Sequence, residues 1–384
     1  MQPALSKIVD RVRAAAADAT PLCIHGGRTK DFYGNPPVGD RLDMRALAGI
    51  VDYEPSELVA TVLAGTPLAE LDAVLAERGQ CLPFDPPSFG GAATVGGMVA
   101  AGLSGPARAA SGAVRDFVLG AHLVNGRGEV LQFGGQVMKN VAGYDVSRLL
   151  AGSLGVLGAI VQVSLKVLPV APAEATLRFD CDQAEALALL NGWGGQPLPL
   201  NASCWGREDR SAPQASEGRL TLRLRGAVAA VDAACARLGG TRLDTGPADH
   251  ATTDADWAAL RDQHLPWFVE RPASRDLWRL SVPQTAPVLP LDAARFGFPL
   301  VEWHGGQRWY QALAGDATAA ATLREVAGAA GGHAALFCAG VSATPVAGGR
   351  FGPLAPALER IHRGLKAEFD PAGIFNPGRL SSGF

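Results

Sequence analysis

The sequence of 384 residues predicts an α+β fold in two parts. Up to about residue 170, short apolar strands alternate with helices and long glycine-rich loops. Beyond Pro172 the character changes, and the apolar segments indicate a second, smaller α+β unit. A chain of this length suits two domains, and a content of 48% hydrophobic and 18% charged residues is ordinary for a soluble globular protein. We therefore predict domains at 1–170 and 171–350 and a C-terminal segment at 351–384.

The elements of the first part follow from apolar spacing and from turn residues. Thr66 and Pro67 predict a helix start, an N-cap followed by proline at the first helical position, and Gly79 ends that helix. The turn Asn125-Gly126-Arg127-Gly128 predicts a hairpin between its flanking strands. The same patterns predict a helix at Pro3–Ala19 and strands at Leu22–His25, Ile50–Tyr53, Leu58–Leu63, Phe117–Val124, Glu129–Phe133 and Ala159–Val167.

The second part contains fewer glycine loops. Ala227–Leu238 has the spacing of a helix, and Ala334–Cys338 that of a strand. Gly348-Gly349-Arg350 predicts a linker before a helix at Leu354–Phe369. The other apolar segments of this unit are Leu187–Leu190, Leu220–Leu224, Trp257–Trp267, Leu277–Val282 and Ala317–Ala330.

Charge and hydropathy exclude several classes of protein. A formal net charge of −3 gives no electrostatic case for binding nucleic acid or an anionic membrane surface. No apolar run reaches the about 20 residues of a spanning helix, so we expect no direct membrane span. Met1 to Thr20 has the pattern of an amphipathic helix and lacks the apolar region of a signal peptide. We expect a cytoplasmic protein, with attachment to the inner membrane only through partners.

The six cysteines are dispersed, and no two of them form a Cys-x-x-Cys pair. This spacing predicts reduced thiols, as in a cytoplasmic protein. The usual cysteine spacings for an iron–sulfur cluster or a zinc ion are absent from the sequence, so we expect no metal site in this chain.

Two glycine clusters are the main functional signal of the sequence. Gly26-Gly27-Arg28-Thr29-Lys30 follows a predicted strand, and Ala93-Thr94-Val95-Gly96-Gly97 forms a second cluster. Glycine lets main-chain N–H groups approach a ligand closely, and such loops in succession favour a large anionic cofactor. The first loop fits neither of the common dinucleotide and P-loop spacings. A plain glycine turn is the alternative for that loop taken alone.

Catalytic residues cannot be assigned from motifs. The chain has no Gly-x-Ser-x-Gly elbow and no His-Glu-x-x-His, and its histidines are scattered. His25 beside the first glycine loop and His333 before a strand are the histidines of most interest. Arg308 and Arg350 are cations that could hold a carboxylate. Core packing explains most of the tryptophans, all in the second half of the chain, and leaves one or two as candidates to line a pocket or an interface.

Taken together, the motifs resemble those of vanillyl-alcohol-oxidase-type flavin enzymes, which carry a PCMH-type FAD-binding domain. The order matches from the first glycine loop through the segment from Pro87 to Gly97, then Gly143-Tyr144-Asp145, Gly152-Ser153-Leu154-Gly155-Val156-Leu157-Gly158 and the tail from Asp370 to Arg379. Within that family the chain is similar to the FAD-binding E subunits of bacterial glycolate oxidase. The phrases Lys30-Asp31-Phe32-Tyr33-Gly34 and Met138-Lys139-Asn140-Val141-Ala142-Gly143-Tyr144-Asp145 carry that likeness.

The resemblance implies an α+β fold with a PCMH-type FAD-binding domain of two α/β subdomains. A smaller α+β domain of cap or substrate type follows, and the C-terminal segment returns to pack on the FAD domain. It also implies non-covalent FAD and an assembly with a D-type flavin subunit and an F-type iron–sulfur subunit. The implied reaction is oxidation of glycolate, a small 2-hydroxy acid, to glyoxylate, with electrons passing through the flavin to the iron–sulfur partner.

Two alternatives stay open beside that function. One is a self-sufficient FAD-dependent 2-hydroxyacid dehydrogenase. The other is a mainly structural subunit of the assembly that binds flavin weakly. Three departures from the family bear on them: Arg28 replaces a third glycine, Leu154 replaces a frequent glutamate, and no His-x-Gly-Asp-Gly-Asn-x-His motif occurs, of which Gly332-His333-Ala334 is at best a remnant.

The resemblance and the glycine loops together give a set of cofactor-binding residues, while the catalytic residues stay unassigned. The cofactor set is His25, Gly26, Gly27, Arg28, Thr29, Lys30, Pro86, Ala93, Thr94, Val95, Gly96, Gly97, Gly102, Gly105, Ser111, Gly155, Gly158, Ile160 and Asn376.

Overall fold

A computed structural model describes residues 3–135, 145–207, 218–342, 344, 346 and 348–381. Its helices are α1 (Pro3–Asp18), α2 (Leu68–Ala76), α3 (Val95–Ala101), α4 (Arg108–Ser111), α5 (Val114–Phe117), α6 (Val146–Leu149), α7 (Gln183–Gly194), α8 (Val228–Leu238), α9 (Pro247–Arg261), α10 (Pro266–Val269), α11 (Ala293–Phe296), α12 (Ala317–Ala329) and α13 (Pro356–Phe369), with a 3-10 turn at Trp303–Gly305.

Its strands are β1 (Leu22–His25), β2 (Asp40–Asp43), β3 (Ile50–Glu54), β4 (Val59–Leu63), β5 (Gln80–Cys81), β6 (Val118–Val124), β7 (Val130–Gly134), β8 (Ala159–Lys166), β9 (Leu168–Pro169), β10 (Ala173–Cys181), β11 (Leu200–Gly206), β12 (Gly218–Gly226), β13 (Thr241–Arg242), β14 (Arg275–Ser281), β15 (Leu300–Glu302), β16 (Gln307–Leu313) and β17 (His333–Cys338).

The chain divides into two compact units. The first comprises Met1–Ser104, Ala113–Val170 and Pro353–Phe384, and the second comprises Gly105–Gly112 and Ala171–Gly352. The C-terminal segment therefore belongs to the unit that begins the chain. The short segment Gly105–Gly112, which the sequence-based division places in 1–170, belongs to the second unit.

The first unit is built on an antiparallel sheet in the order β3-β4-β8-β6-β7. The predicted hairpin is confirmed, since β6 and β7 pair in antiparallel register from Gly120↔Gly134 to Val124↔Val130. Apolar side chains of the inner strands enter two core clusters. All five residues of the strand at Val59–Leu63 are buried, so both of its faces are mainly apolar, and its one polar side chain, Thr61, forms a hydrogen bond with the Ser164 hydroxyl at 2.9 Å.

A smaller layer of the same unit carries both ends of the chain. Its strand β1 pairs in parallel with β2. On the other side, Leu22 forms a parallel bridge with Phe375, so the tail lies beside the first strand. Helix α1 buries Val9 and Val12 in the same core cluster as Leu22 and Phe375.

The second unit is an antiparallel sheet in the order β13-β10-β12-β11-β15-β16-β14-β17. Alternate residues of its strands point to opposite faces. Leu177, Leu222 and Trp205 pack with helices α7 and α8 on one face. On the opposite face, α9 covers β10, where Trp257 Nε1 donates to Thr176 Oγ1 at 3.1 Å.

Two local predictions are wrong. The N-cap of α2 is Pro67, and Thr66 does not cap the helix. Its hydroxyl instead donates to Leu63 O at 2.8 Å and accepts from the Gly49 N–H at 2.9 Å, because Thr66 is fully buried in a turn. Gly348-Gly349-Arg350 is not a free linker, because Leu336 N–H of β17 donates to Arg350 O at 2.8 Å.

Three further sequence features concern the cysteines, membrane crossing and one family motif. All six cysteines lie in the described part of the chain, and each is a free thiol. Among the described residues, none of the helices combines the length and the apolar character that a membrane crossing requires. Residues 138–144 of the family motif lie outside the described residues.

Candidate cofactor site

The first glycine loop follows β1, and its main-chain N–H groups are available to a ligand. Within the described ranges, the main-chain N–H groups of Gly26, Gly27, Arg28 and Thr29 donate no hydrogen bond. Arg28 adopts the left-handed region at φ 61°. Successive N–H groups with a left-handed residue among them form the concavities that bind anions. The loop can therefore offer several donors to a phosphate group.

The two glycine clusters are in direct contact. A Cβ atom on Gly26 would lie 2.2 Å from Thr94 Oγ1, and one on Gly27 would lie 1.4 Å from Ala92 O. A larger residue at Gly26 would therefore require the Thr94 side chain to move, and one at Gly27 would require the backbone at Ala92 to shift. Thr94 is the N-cap of α3 and accepts from the Gly97 N–H at 3.3 Å. Close packing thus places the open N–H groups of the first loop beside the second cluster.

A third loop, which precedes β8, completes one side of the site. Leu154 and Gly155 both have left-handed backbones, at φ 49° and 74°. A Cβ atom on Gly155 would lie 2.8 Å from Asn376 Nδ2, and one on Gly158 would lie 2.7 Å from Val124 O. The glycines let this loop pass close to the tail and to the sheet.

Asn376 links three segments of the site. Its Oδ1 accepts from the Ile24 N–H at 2.8 Å, and its Nδ2 donates to Leu154 O at 2.6 Å. Its own N–H donates to Leu22 O at 2.9 Å. Asn376 is 5% exposed, and its backbone adopts a left-handed conformation at φ 41°, which asparagine tolerates better than most residues. Asn376 therefore fixes the distance between β1 and the third loop.

A buried ion pair between Lys366 and Asp370 stabilises the C-terminal tail. Lys366 Nζ donates to Asp370 Oδ2 at 2.6 Å, to Phe375 O at 2.7 Å and to Val156 O at 2.8 Å. The Asp370 carboxylate also accepts from the N–H groups of Ile374 and Phe375. Burial lowers the pKa of Lys366, and the hydrogen bond to Asp370 opposes that shift. Sequence reasoning missed this pair, whose i,i+4 spacing is also that of an ordinary surface pair.

Arg379 fixes the far side of the first glycine loop. Its guanidinium donates to the main-chain oxygens of Asn35, Lys30 and Asp31, the last at 3.2 Å. The residue is 7% exposed although it carries a charge. Arg379 is the last residue of the tail motif that resembles the family. Its place in that motif was the one indication in the sequence that it belongs to the site.

These loops enclose two adjoining cavities in the first unit. Most of the predicted cofactor residues line them: His25, Gly26, Gly27, Arg28, Thr29, Lys30, Thr94, Gly96, Gly97, Gly155, Gly158, Ile160 and Asn376. The structure adds lining residues that the predicted cofactor set did not include: Ile24, Asp31, Met44, Ala64, Ala100, Ala101, Leu154 and Arg379.

Comparison with known proteins gives this site a family. A family model described as an FAD binding domain matches residues 5–134. Over 373 residues the chain is 42% identical to glycolate oxidase subunit GlcE of Escherichia coli (strain K12), with 97% of this chain and 96% of the relative covered. The chain belongs to the GlcE family of glycolate oxidase subunits. Its cofactor is FAD, as the resemblance implied.

Two further comparisons concern part of the chain and its fold. Glycolate oxidase subunit GlcD of Bacillus subtilis (strain 168) is 32% identical over 170 residues, 44% of this chain and 36% of the relative. A solved structure of alkyldihydroxyacetonephosphate synthase superposes with a TM-score of 0.68 at 16% identity, covering 97% of this chain and 74% of that one. The predicted α+β fold with a PCMH-type FAD-binding domain is confirmed.

The residues present fit FAD at its pyrophosphate. Open N–H donors on residues 26–29 suit two linked phosphates, and glycine at 26 and 27 lets this loop pack directly against Thr94 and Ala92 of the second cluster. Arg28, which departs from the glycine of many relatives, still takes the left-handed backbone and pairs with Asp31 at 2.7 Å. Leu154 likewise takes a left-handed backbone, and its carbonyl is bound by Asn376.

Six predicted FAD-binding residues lie outside the cavity lining. Ala93 and Val95 are buried in the apolar core of the first unit. Gly102 ends α3 in the left-handed region at φ 63°, where a Cβ atom would lie 2.7 Å from Gly152. Pro86 is buried before the second glycine cluster, and Gly105 and Ser111 belong to the second unit. A role in binding FAD stays a prediction for all six.

The histidine beside the loop has polar neighbours of its own. His25 Nδ1 lies 3.2 Å from Gly26 O and 4.0 Å from Asp43 Oδ1. Its side chain is 8% exposed and lines the FAD cavities. The geometry holds the ring at the point where β1 enters the loop. Non-covalent attachment of FAD stays a prediction.

The second unit buries titratable groups of a different kind. Glu302 Oε1 accepts from Trp309 Nε1 at 2.5 Å and from Gln307 Nε2 at 3.1 Å, and burial raises the pKa of this carboxyl to about 7. His304 sits in a left-handed turn at φ 54°. Neither of its ring nitrogens has a partner in the described part of the chain, and burial lowers its pKa to about 4.

Arg308 is not available to hold a carboxylate. It is fully buried, and its guanidinium donates to the carbonyls of Gly305, Pro287 and Ala286. The sequence could not show this, because two of the three acceptors, Ala286 and Pro287, lie in a loop that only the fold brings to β16. Among the described residues, no three His, Cys, Asp or Glu side chains lie together as a metal ion would require.

Proposed function

We propose that this chain is the FAD-binding subunit of a complex that oxidises glycolate to glyoxylate and passes the electrons to an iron–sulfur partner. The observation that carries the proposal is the match to GlcE along almost the full length of both chains. The likeness to GlcD covers less than half of this chain. A subunit role distinct from that of a D-type subunit is therefore the best-supported function.

We expect this chain's own residues to bind FAD and to orient it. The open N–H groups of residues 26–29 bind the pyrophosphate, while Asn376 and Lys366 fix the loop and the tail around it. When bound, FAD supplies the acceptor for a hydride, and the redox chemistry is that of the cofactor. The chain thus sets the position of the cofactor and its exposure to water.

The spacing of the cysteines supports an exit for electrons through a partner. The six cysteines are dispersed along the sequence, and the usual cysteine spacings of an iron–sulfur site do not occur among them. An F-type iron–sulfur subunit would supply the acceptor, and a D-type flavin subunit would complete the assembly.

Activity of the isolated chain is the decisive test. The purified chain is mixed with glycolate and a dichloroindophenol dye, with and without D-type and F-type subunits. We expect bleaching only in the presence of partners, because main-chain carbonyls occupy the Arg308 guanidinium, which therefore cannot hold the carboxylate of glycolate. Steady bleaching by the chain alone, near the rate of the complex, would favour the self-sufficient dehydrogenase. A folded but colourless protein would favour the structural subunit.

The cellular location is part of the same proposal. We expect the chain in the cytoplasm, with attachment to the inner membrane through partners. Fractionation of cells with and without the D-type and F-type subunits tests this. Membrane association that persists when both partners are absent would contradict it.

A further inference from the structure

A large cavity in the second unit has no role in the proposed reaction. Its volume is about 560 Å³, within the range of about 300–1,000 Å³ that small-molecule sites occupy. The residues that line it belong to the second unit, whereas those that line the FAD cavities belong to the first. Glycolate, with two carbons, would leave most of this space unfilled.

The floor of the cavity is one face of the sheet. Thr176 of β10, Thr221 of β12 and Cys204 of β11 line it, and Cys204 and Thr221 are cross-strand neighbours. Helices α7 and α8 pack on the opposite face, to which alternate residues of these strands point. Burial raises the pKa of the Cys204 thiol well above its usual value. The floor therefore offers hydroxyl and thiol groups that carry no charge at pH 7.

The walls of the cavity are largely apolar. Trp257 of α9 and Trp267 of α10 line it, and they are 5% and 7% exposed. Their indole N–H groups donate to Thr176 Oγ1 at 3.1 Å and to Phe298 O at 3.3 Å, so each ring is held in place. The other apolar side chains of the lining are Leu243, Leu260, Leu265, Pro266 and Leu300. Aromatic rings that are fixed in this way favour contact with another aromatic ring.

The charged side chains of the lining favour a ligand without a charge. Among the described residues, two cations and two anions line the cavity, Arg207 and Arg219 against Asp256 and Glu270. Arg219 Nε lies 3.8 Å from Asp180 Oδ1, and the Arg207 guanidinium stacks over an aromatic ring at 3.8 Å. Asp256 and Glu270 are exposed, so water stabilises their charges. A charged ligand of either sign would meet a like charge as well as an opposite one, and burying it would cost more than burying a neutral molecule.

We propose that this cavity binds a neutral aromatic molecule, packed against Trp257 and Trp267, at a site separate from the FAD site. The volume accommodates a body of two fused rings, and a hydroxyl or carbonyl group on that body can form a hydrogen bond with the Thr221 hydroxyl. Glycolate shares neither the ring nor the neutral charge of such a ligand, so this site is independent of the proposed reaction.

Three probes of nearly the same shape test the class of ligand on the full chain. They are 1-naphthylmethanol, which is neutral, 1-naphthylmethylammonium and 1-naphthoate, and binding is measured by titration calorimetry at several temperatures. We expect saturable binding of the alcohol at sub-millimolar concentration with a negative heat-capacity change. The ammonium and the carboxylate should each bind at least about tenfold more weakly. Absence of saturable binding of the alcohol, or equal binding of either charged probe, would overturn the proposal.

Two variants locate the site. Gly206→Phe should abolish binding of the alcohol, because a Cβ there meets only Leu300 Cδ1, at an ordinary 3.8 Å, and the ring would extend into the cavity that both residues line. Trp257→Phe should weaken binding at least about threefold, since part of the apolar wall is lost. The matched control is Gly192→Phe on α7, where a Cβ has open space around it. Wild-type affinity in a folded Gly206→Phe or Trp257→Phe variant would show that the probe binds elsewhere and would overturn the proposal.

Discussion

Replacing Lys366 by methionine is expected to lower the free energy of unfolding of the first unit by about 3–5 kcal/mol. The side chains of Lys366 and Asp370 are 8% and 0% exposed, so the variant leaves a carboxylate buried without its counter-charge. It also removes the donor to two main-chain oxygens, one on the third FAD loop and one before Asn376. For a unit of this size the loss corresponds to a fall in Tm of about 6–20 °C.

The control for this variant lies on the same helix. Arg363 pairs with Glu359 at the same i,i+4 spacing, at 2.6 Å, but the two side chains are 58% and 37% exposed. Arg363→Met should cost less than about 0.5 kcal/mol. Thermal and urea unfolding of both variants, with and without FAD, measure the difference. If Lys366→Met unfolds within 1 kcal/mol of Arg363→Met, the argument that burial makes this pair important is refuted.

Three further predictions follow from the site and from the buried carboxyl. Gly27→Ala should weaken FAD binding at least about tenfold, since its Cβ would meet Ala92 O at 1.4 Å, whereas Gly91→Ala, with open space around it, should bind FAD normally; flavin fluorescence titration separates them. Acid precipitation should release yellow flavin into the supernatant, and colour that stays in the pellet would disprove non-covalent binding. Burial raises the pKa of Glu302 to about 7 in the folded state, so the folded state holds this proton more tightly than the unfolded state does. The resulting stabilisation of about 3 kcal/mol is complete below the pKa of Glu302 in the unfolded state and is lost as the pH rises through 7. Glu302→Gln should flatten that loss in pH-dependent unfolding, and an unchanged slope would contradict the assignment.

Local patterns predicted most elements of the first unit, because strands and turns there depend on near neighbours. Leu22–His25 was placed at its observed bounds, and the hairpin at Asn125–Gly128 followed from its turn residues. The glycine loops were also identified from sequence, since close main-chain approach leaves only glycine. The two-residue strands β5 and β9 were missed, because pairing so short depends on where the flanking segments lie.

The rest of the site depends on tertiary contacts that spacing does not encode. A Lys-x-x-x-Asp pair has the pattern of a solvated helix surface, and only the returning tail buries Lys366 and Asp370. Nothing in the sequence around Arg308 indicates that its charge is occupied, because two of its acceptors lie in the distant loop at residues 286–287. A cavity of the second unit that Trp257 and Trp267 line was anticipated only as one or two tryptophans without a core role.

The bridge between Leu22 and Phe375 makes the order of synthesis important for FAD. Domains generally fold as units during translation, starting from the N-terminus. Here the strand that opens the FAD unit waits for residues near the other end of the chain, and the whole second unit is made in between. The first strand and the tail can therefore pair only after the second unit and the residues up to Phe375 have been synthesised. We expect FAD to bind stably only after this pairing, so that truncation before Phe375 lowers the flavin content.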